Sequence, residues 1–292
     1  MFAVFGGLDI DIDPSRQIDA LIIEHILEHY TLLSGYIDSL ISADKDVKKL
    51  LAALSVGDRR IFSSFKKARL NNIQGGIALN FLSRNGLIKI EYSREEDKRS
   101  WKPKLSKEEA KHRISDKFLI VYPFIRFWFY FIYPHAKEIQ NGNFKRVLEE
   151  FKEKKYGYTS LVFEELSRVM LHFHLRDEEV HTLDSYWDAK VELDIMVKTK
   201  KNSFYVAECK WTNHKVNKKE LNKLKEKCEI MGIVPKQMLF FSKRGFSREL
   251  LAMQGKDLVL FDVEDFRALL HVKPTKRSFP LEPYAALIQS SL

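Results

Sequence analysis

The residues best able to do chemistry concentrate in ELDIMVKTKKNSFYVAECKW, residues 192–211. Two apolar runs, LDIMV and FYVAECKW, flank the polar tract Lys198-Thr199-Lys200-Lys201-Asn202-Ser203. That is the pattern of a β-hairpin buried on at least one face. Asp194 stands in the first run, and Glu208 and Lys210 in the second. An ionised group buried alone is costly, so carboxylates in such strands need a partner or a metal. Strand side chains alternate, which puts Glu208 and Lys210 on one face and Cys209 on the other, in a bland buried role. A hairpin brings Asp194 beside them. Two carboxylates converging with an ammonium at a sheet edge form a site for a hard cation. For the tripeptide alone, an exposed Glu208–Lys210 ion pair on an edge strand is the plainer alternative.

Other chemistries find little footing. His172 and His174 are two apart on a helix and do not face each other, so with His181 they make no zinc set. Gly255-Lys256 is followed by Asp257 and lacks the upstream glycine of a P-loop. The two cysteines, Cys209 and Cys228, are too few for a disulfide framework and fit a reducing cytoplasm. The N-terminal MFAVFGGLDIDID lacks the basic region and cleavage site of a secretory signal. The apolar segment Phe118 to Tyr133 is shorter than the roughly 20 residues of a spanning helix and contains Pro123 and Arg126, so it reads as core. No membrane association is expected. A formal net charge of +9 over 292 residues points to a polyanionic partner, without separating nucleic acid from an acidic surface.

The elements around the hairpin predict a mixed α/β sheet domain over residues 143–292. A helix over Thr159 to Phe173 carries the stripe Val162, Phe163, Leu166, Val169, Met170, Phe173. After it come a strand near Val180 to Leu183 and then the hairpin. A lysine-rich helix over Asn217 to Met231, with Lys218, Lys219, Lys223, Lys225 and Lys227, is followed by a strand over Lys236 to Ser242. A short helix (Ser247 to Met253), a strand (Leu258 to Val263) and a last helix (Asp265 to Leu270) complete the order α-β-β-β-α-β-α-β, with helices on the sheet's faces.

Residues 1–104 read as an all-α winged helix-turn-helix domain. Helical spacing covers 18 to 29, a second helix from Leu32 to Ile41, and a third from Asp46 to Leu54. Asp58 is placed to cap a fourth helix, which runs to about Leu70. Gly75 and Gly76 precede a helix from Ile77 to Arg84 that stops at Asn85-Gly86. A strand (Leu87 to Tyr92), a charged turn (Ser93 to Ser100) and a return strand at Trp101 form the wing. In such a domain the helix before the wing enters the major groove and wing cations touch phosphates. Lys66, Lys67, Arg69, Asn80, Arg84, Lys98 and Arg99 are the candidate DNA contacts, and docking of a protein partner is the alternative use. Residues 105–142 form an aromatic helical connector that buries itself between the two domains.

The set Glu164 (or Glu165), Asp194 and Glu208-Cys209-Lys210, in this order of elements, resembles the PD-(D/E)xK nuclease superfamily. Phe163-Glu164, Trp187, Glu192-Leu193-Asp194-Ile195 and Glu208-Cys209-Lys210-Trp211 look like the C-terminal domain of archaeal-type ATPases. In that family a P-loop ATPase and a winged helix usually precede a nuclease-like domain. Arg113 to Phe118, Arg126-Phe127-Trp128-Phe129 and Tyr133-Pro134 resemble its junction sequence. Lys117 stands where a proline is usual, and there are extra residues before Arg126. Against that pattern the expectation is a chain without the ATPase module, Phe5-Gly6-Gly7 being read as its residual stub.

The resemblance implies a restriction-endonuclease-like sheet domain with a metal-dependent phosphodiesterase site. Asp194 and Glu208 would hold Mg²⁺ or Mn²⁺. Lys210 would orient or deprotonate the attacking water, or stabilise developing negative charge. The helix glutamate would position that water. The family's Phe-Glu pair selects Glu164, whereas the helical stripe sets Glu165 nearer the sheet. Lys218 and Lys219, on the basic helix after Lys210, would track a DNA backbone. Two functions follow: a cytoplasmic DNA-binding nuclease, working as a homodimer if it cuts both strands, or an inactive nuclease-fold adaptor or regulator that partners a separate ATPase.

Overall fold

In a computed structural model of the protein, residues 1–8, 10–94 and 115–271 are described. They form two units, one of residues 1–91 with 115–155, the other of 92–94 with 156–271. The first is mainly helical and the second is built on a sheet.

The first unit contains α1 (Phe2–Phe5), α2 (Ile18–Ile22) running on into a π-helical turn (Ile23–Leu27), α3 (Tyr30–Leu40), α4 (Lys45–Val56), α5 (Ile61–Ala68) and α6 (Asn72–Arg84). Asp44 caps α4 by accepting from the Asp46 and Val47 amides at 2.8 and 2.9 Å. The last helix begins at Asn72, not Ile77, because Asn71 and Gln74 form a reciprocal capping box. Gly75 and Gly76 therefore lie inside the helix. The reason for Gly75 is steric: a Cβ there would meet the Phe65 ring at 2.7 Å. β1 (Ile88–Glu91) follows and pairs antiparallel with β2 (Lys117–Ile120), Ile88 facing Ile120 and Glu91 facing Lys117. The chain just before α5 joins this sheet through an Arg60–Lys117 bridge, with the Phe118 amide donating to the Arg59 carbonyl at 2.8 Å. The strand expected at Trp101 lies outside the described residues; β2 is the observed partner of β1.

The aromatic stretch is not a helical connector throughout. It opens as β2, then forms α7 (Pro123–Phe127), a π-helical turn (Trp128–Ile132), a 3₁₀ turn (Tyr133–His135) and α8 (Ala136–Gln140). Pro123 falls in the first turn of α7, where its missing N–H is no loss. The stretch is core of the first unit: Trp128 stacks on Tyr30 at 5.5 Å, and Phe127 and Phe131 each make a T-shaped contact with Phe151, at 5.7 and 5.3 Å. No helix among the described residues is long and apolar enough to cross a membrane.

Helix α9 (Lys145–His174), twice the length expected, carries the chain into the second unit. There β3 (Val180–Trp187), β4 (Glu192–Thr199), β5 (Phe204–Lys210), β6 (Gln237–Ser242) and β7 (Leu258–Asp262) form one sheet in sequence order. The first three strands are antiparallel; β5, β6 and β7 are parallel. The crossovers are α10 (Lys218–Met231) and α11 (Arg248–Ala252). Parallel crossovers of one hand put both helices on one face, and Leu221, Leu224, Cys228 and Leu250 pack there with Val206 and Phe240. On the other face, Phe163, Met170, Leu171 and Leu175 of α9 pack with Ile195, Val197, Tyr205 and Phe241. Of the sequence's expectations, the element order and the layered α/β character stand.

The two neighbouring glycines of α6 give a stability contrast. A Cβ on Gly76 meets nothing within 4 Å, so Gly76→Ala should stabilise by about 0.5–1 kcal/mol through helix propensity. Gly75→Ala should destabilise by about 1–3 kcal/mol, because overpacking against Phe65 outweighs the same gain. Chemical denaturation of both variants checks the pair.

Candidate functional site

Asp194 sits where β4 changes face. Between Asp184↔Met196 and Tyr186↔Leu193, two residues of β3 advance against three of β4, so β4 carries an extra residue. The consequence is visible in the core: Leu193 packs on the α10 face while Ile195 packs on the α9 face. A bulge of this kind re-aims a side chain and ends regular pairing. Pairing of β4 with β5 accordingly runs only as far as Ile195↔Ala207. Beyond it, the Asp194 carboxylate replaces a ladder carbonyl: the Cys209 amide donates to Asp194 Oδ2 at 2.7 Å.

Glu208 and Lys210 share the α10 face, as alternation requires. They do not lie on an edge strand, because β5 is the middle strand of the five. The site is therefore at the C-terminal end of a central strand, and the plain exposed ion pair is excluded by the burial of Glu208, 5% exposed. Lys210 Nζ donates to Glu208 Oε2 at 2.9 Å, and Lys227 Nζ of α10 donates to Oε1 at 2.5 Å. Lys210 also reaches Glu220 Oε2 at 3.4 Å, and Lys223 donates to Glu220 Oε1 at 2.7 Å. The result is a chain of alternating charge, Lys227–Glu208–Lys210–Glu220–Lys223. Asn217 starts α10 by accepting from the Lys219 amide at 3.0 Å. Leu221, Leu224 and Cys228 then anchor the buried stripe, and Glu220 and Lys227, seven residues apart, fall on a common line beside it.

The electrostatics follow from this packing. Burial, then the neighbouring Glu208 charge, raises the Asp194 carboxyl from 3.8 to about 6, against the Cys209 amide and the two lysines. Burial works against the charged form of Lys210, but the charge and hydrogen bond of Glu208 prevail and raise its pKa. Glu220 is lowered by the Lys223 hydrogen bond, with Lys210 adding to it against partial desolvation. Burial pushes the Cys209 thiol well up, helped by the charges of Asp194 and Glu164 and opposed by a hydrogen bond with Ser167. Cys209 is thus no thiolate nucleophile.

A hard cation fits the pair chemically. Asp194 and Glu208 repel each other in a desolvated place, and a divalent ion relieves that repulsion as a proton otherwise does. Among the described residues no cluster of three or more His, Cys, Asp or Glu gathers for a metal. An ion held here would have two carboxylates and complete its shell with solvent, as Mg²⁺ commonly does.

The remaining sequence candidates are dispersed. Glu164 lies half-buried on α9, in the turn whose Phe163 ring packs against Trp211 at 4.9 Å. Of Glu164 and Glu165, Glu164 is the one whose charge acts on the Cys209 thiol. Lys218 is paired with Glu249 at 3.0 Å, while Lys219 is exposed. In the first unit Lys66, Arg69 and Arg84 are exposed, as is Asn80, but Lys67 donates to the Val56 carbonyl at the end of α4 at 3.3 Å. Lys98 and Arg99 lie outside the described residues. The sequence gives Glu220 no role and places Lys227 only among the cations of the lysine-rich helix, not at Glu208. It also passed over Lys243, whose amide donates to the Lys210 carbonyl at 3.1 Å and whose ammonium sits over the Tyr156 ring at 4.1 Å. The seven-residue spacing of Glu220 and Lys227 beside an apolar stripe was the available signal.

A family model, DUF234, described as archaea bacterial proteins of unknown function, matches residues 128–224. The matched segment takes in Glu164, Asp194, Glu208, Lys210 and Glu220 and ends before Lys227. No curated protein and no solved structure matches the chain.

The raised Asp194 pKa sets a pH dependence. Below about pH 4 the carboxyl is protonated both folded and unfolded, and contributes nothing. Between 3.8 and about 6 the unfolded chain loses the proton while the folded protein keeps it, so stability falls as pH rises through this window. Asp194→Asn retains an oxygen for the Cys209 amide and removes the charge. In chelator at pH 8 it should exceed the wild type by up to about 3 kcal/mol, and the two should converge at pH 4. Denaturant melts of both proteins across pH 4–8 check the convergence.

Proposed function

We propose that this chain is a DNA-associated protein whose sheet unit hydrolyses phosphodiesters with Mg²⁺ or Mn²⁺, on a restriction-endonuclease-like fold. The observation that carries the reading is Glu208, buried beside Asp194 with Lys210 donating to it at 2.9 Å, at the end of a central strand. The order α9-β3-β4-β5-α10-β6 around that strand agrees with the resemblance, and the bulge at Asp194 explains how a strand residue reaches the site. A bound divalent ion would neutralise phosphate oxygens and lower the pKa of the attacking water. Asp194 and Glu208 would hold it. Lys210, kept cationic by Glu208, is placed to stabilise charge developing on the phosphate. Glu164, the helix glutamate whose charge acts on the Cys209 thiol, would orient the water.

For the first unit we propose a winged helix. Three helices, α4 to α6, are followed by an antiparallel pair that also recruits the chain before α5. The outer face of α6 presents Ile73, Ile77, Asn80 and Arg84. A face with one charge reads bases through apolar and amide contacts rather than through many phosphate contacts. Lys66 and Arg69 would supply the latter. A homodimer would serve a double-strand cut.

A second reading, an inactive nuclease-fold adaptor or DNA-binding regulator that partners a separate ATPase, is favoured by one observation: both Glu208 oxygens already accept from lysines. It requires no metal at all.

Plasmid and linear DNA incubated with the full chain and Mn²⁺ separate the two. The nuclease reading expects cleavage that Asp194→Ala abolishes and Lys210→Ala lowers at least about 100-fold. Equal traces from wild type and Asp194→Ala would sink it. Under the adaptor reading, DNA affinity is unchanged by chelator and by Lys210→Ala.

A further inference from the structure

Lys227 stands where a cation ligand of Glu208 would stand. Each Glu208 oxygen has one ammonium, and they differ in what else they hold. Lys210 on Oε2 is shared with Glu220 at 3.4 Å, whereas Lys227 takes Oε1 at 2.5 Å from a different element, α10. The local charges balance without any ion: Asp194, Glu208 and Glu220 against Lys210, Lys223 and Lys227. An entering divalent ion makes this group doubly positive. It also needs Glu208 oxygen at about 2.1 Å if it is Mg²⁺, and an ammonium already on that oxygen repels it.

We infer that Lys227 is a positioning residue that exchanges with the metal: its ammonium holds Glu208 Oε1 in the metal-free protein and gives that oxygen up when the ion binds. The inference rests on the nuclease-type reading of the site. A lysine suits this task. Its flexible stem allows a point charge to swing away while the helix stays fixed, and Lys227 is only half-buried, with its side chain 32% exposed. One turn back on the same side of α10 lies the more exposed Lys223. The released ammonium therefore joins a cationic stripe. Metal occupancy and affinity for a phosphate anion rise together, since the single negative charge of a phosphodiester offsets part of the excess charge brought by the ion. In the metal-free state the carboxylates stay neutralised, so an empty site neither repels DNA nor attracts it strongly.

Calorimetric titration of MnCl₂ into the full chain tests the exchange without reading activity. Lys227→Gln removes the competitor and should bind Mn²⁺ about tenfold more tightly than wild type, the size expected for losing one charge-assisted hydrogen bond. Lys227→Arg keeps a competing charge and should stay within about twofold of wild type on the same grounds. Lys227→Met, which preserves the aliphatic stem, should tighten binding as the glutamine does and replaces it if that variant fails to fold. If Asp194→Ala abolishes Mn²⁺ binding but Lys227→Gln and Lys227→Met bind as weakly as wild type or weaker, the exchange is wrong while the metal site stands. If Asp194→Ala binds Mn²⁺ as wild type does, the metal site itself fails and the exchange goes with it.

Discussion

Two carboxylates share one desolvated corner of the sheet unit, and the surrounding architecture exists in relation to that strain. Asp194 is raised to about 6 by burial and by Glu208, so like charge is being held where water cannot screen it. Sheet stability alone would be better served by apolar side chains here. The lysines of β5 and α10 and the Cys209 amide are the local answers to the problem. Each comes from a different segment, so the site assembles only when strand, hairpin and crossover helix are all in place.

The bulge in β4 is the second necessity. In a regular ladder Asp194 would oppose Glu208 and its side chain would stand on the sheet's face. With an extra residue, the strand turns Leu193 and Ile195 to opposite cores and leaves Asp194 at the split. The Cys209 amide, which would otherwise lose its ladder partner, is satisfied by the side chain instead. One local irregularity thus re-aims the Asp194 side chain and satisfies the backbone it disturbs.

Helix α10 does two jobs with one sequence. Leu221, Leu224 and Cys228 hold it to the sheet, while Glu220, Lys223 and Lys227 meet the site from the flank of the same helix. Its remaining lysines face outward. The basic character of the chain is therefore not uniform solvation: some of it is spent internally, on Glu208 and Glu220, as Lys67 in the first unit is spent on an α4 carbonyl.

By itself the sequence determined the periodic part of this protein. Alternation at 192–210 and the apolar stripes of α9 and α10 fixed the hairpin, the crossovers and the shared face of Glu208 and Lys210, because side-chain burial repeats with the backbone's own period. It did not determine α6, since a capping box at Asn71 and a ring packed on Gly75 outweigh the usual meaning of a Gly-Gly pair. It did not say what the aromatic stretch packs against, since density signals burial but not its partners; stacking on Tyr30 and edge contacts with Phe151 come from other segments of the chain. It set the site at a sheet edge, because strand order is a long-range property and β5 became central only through parallel pairing with β6. The contact of Lys227 with Glu208 was decided by tertiary structure: the helical spacing put Lys227 beside the buried stripe, but, nineteen residues from Glu208, it reaches that carboxylate only because α10 returns across the sheet.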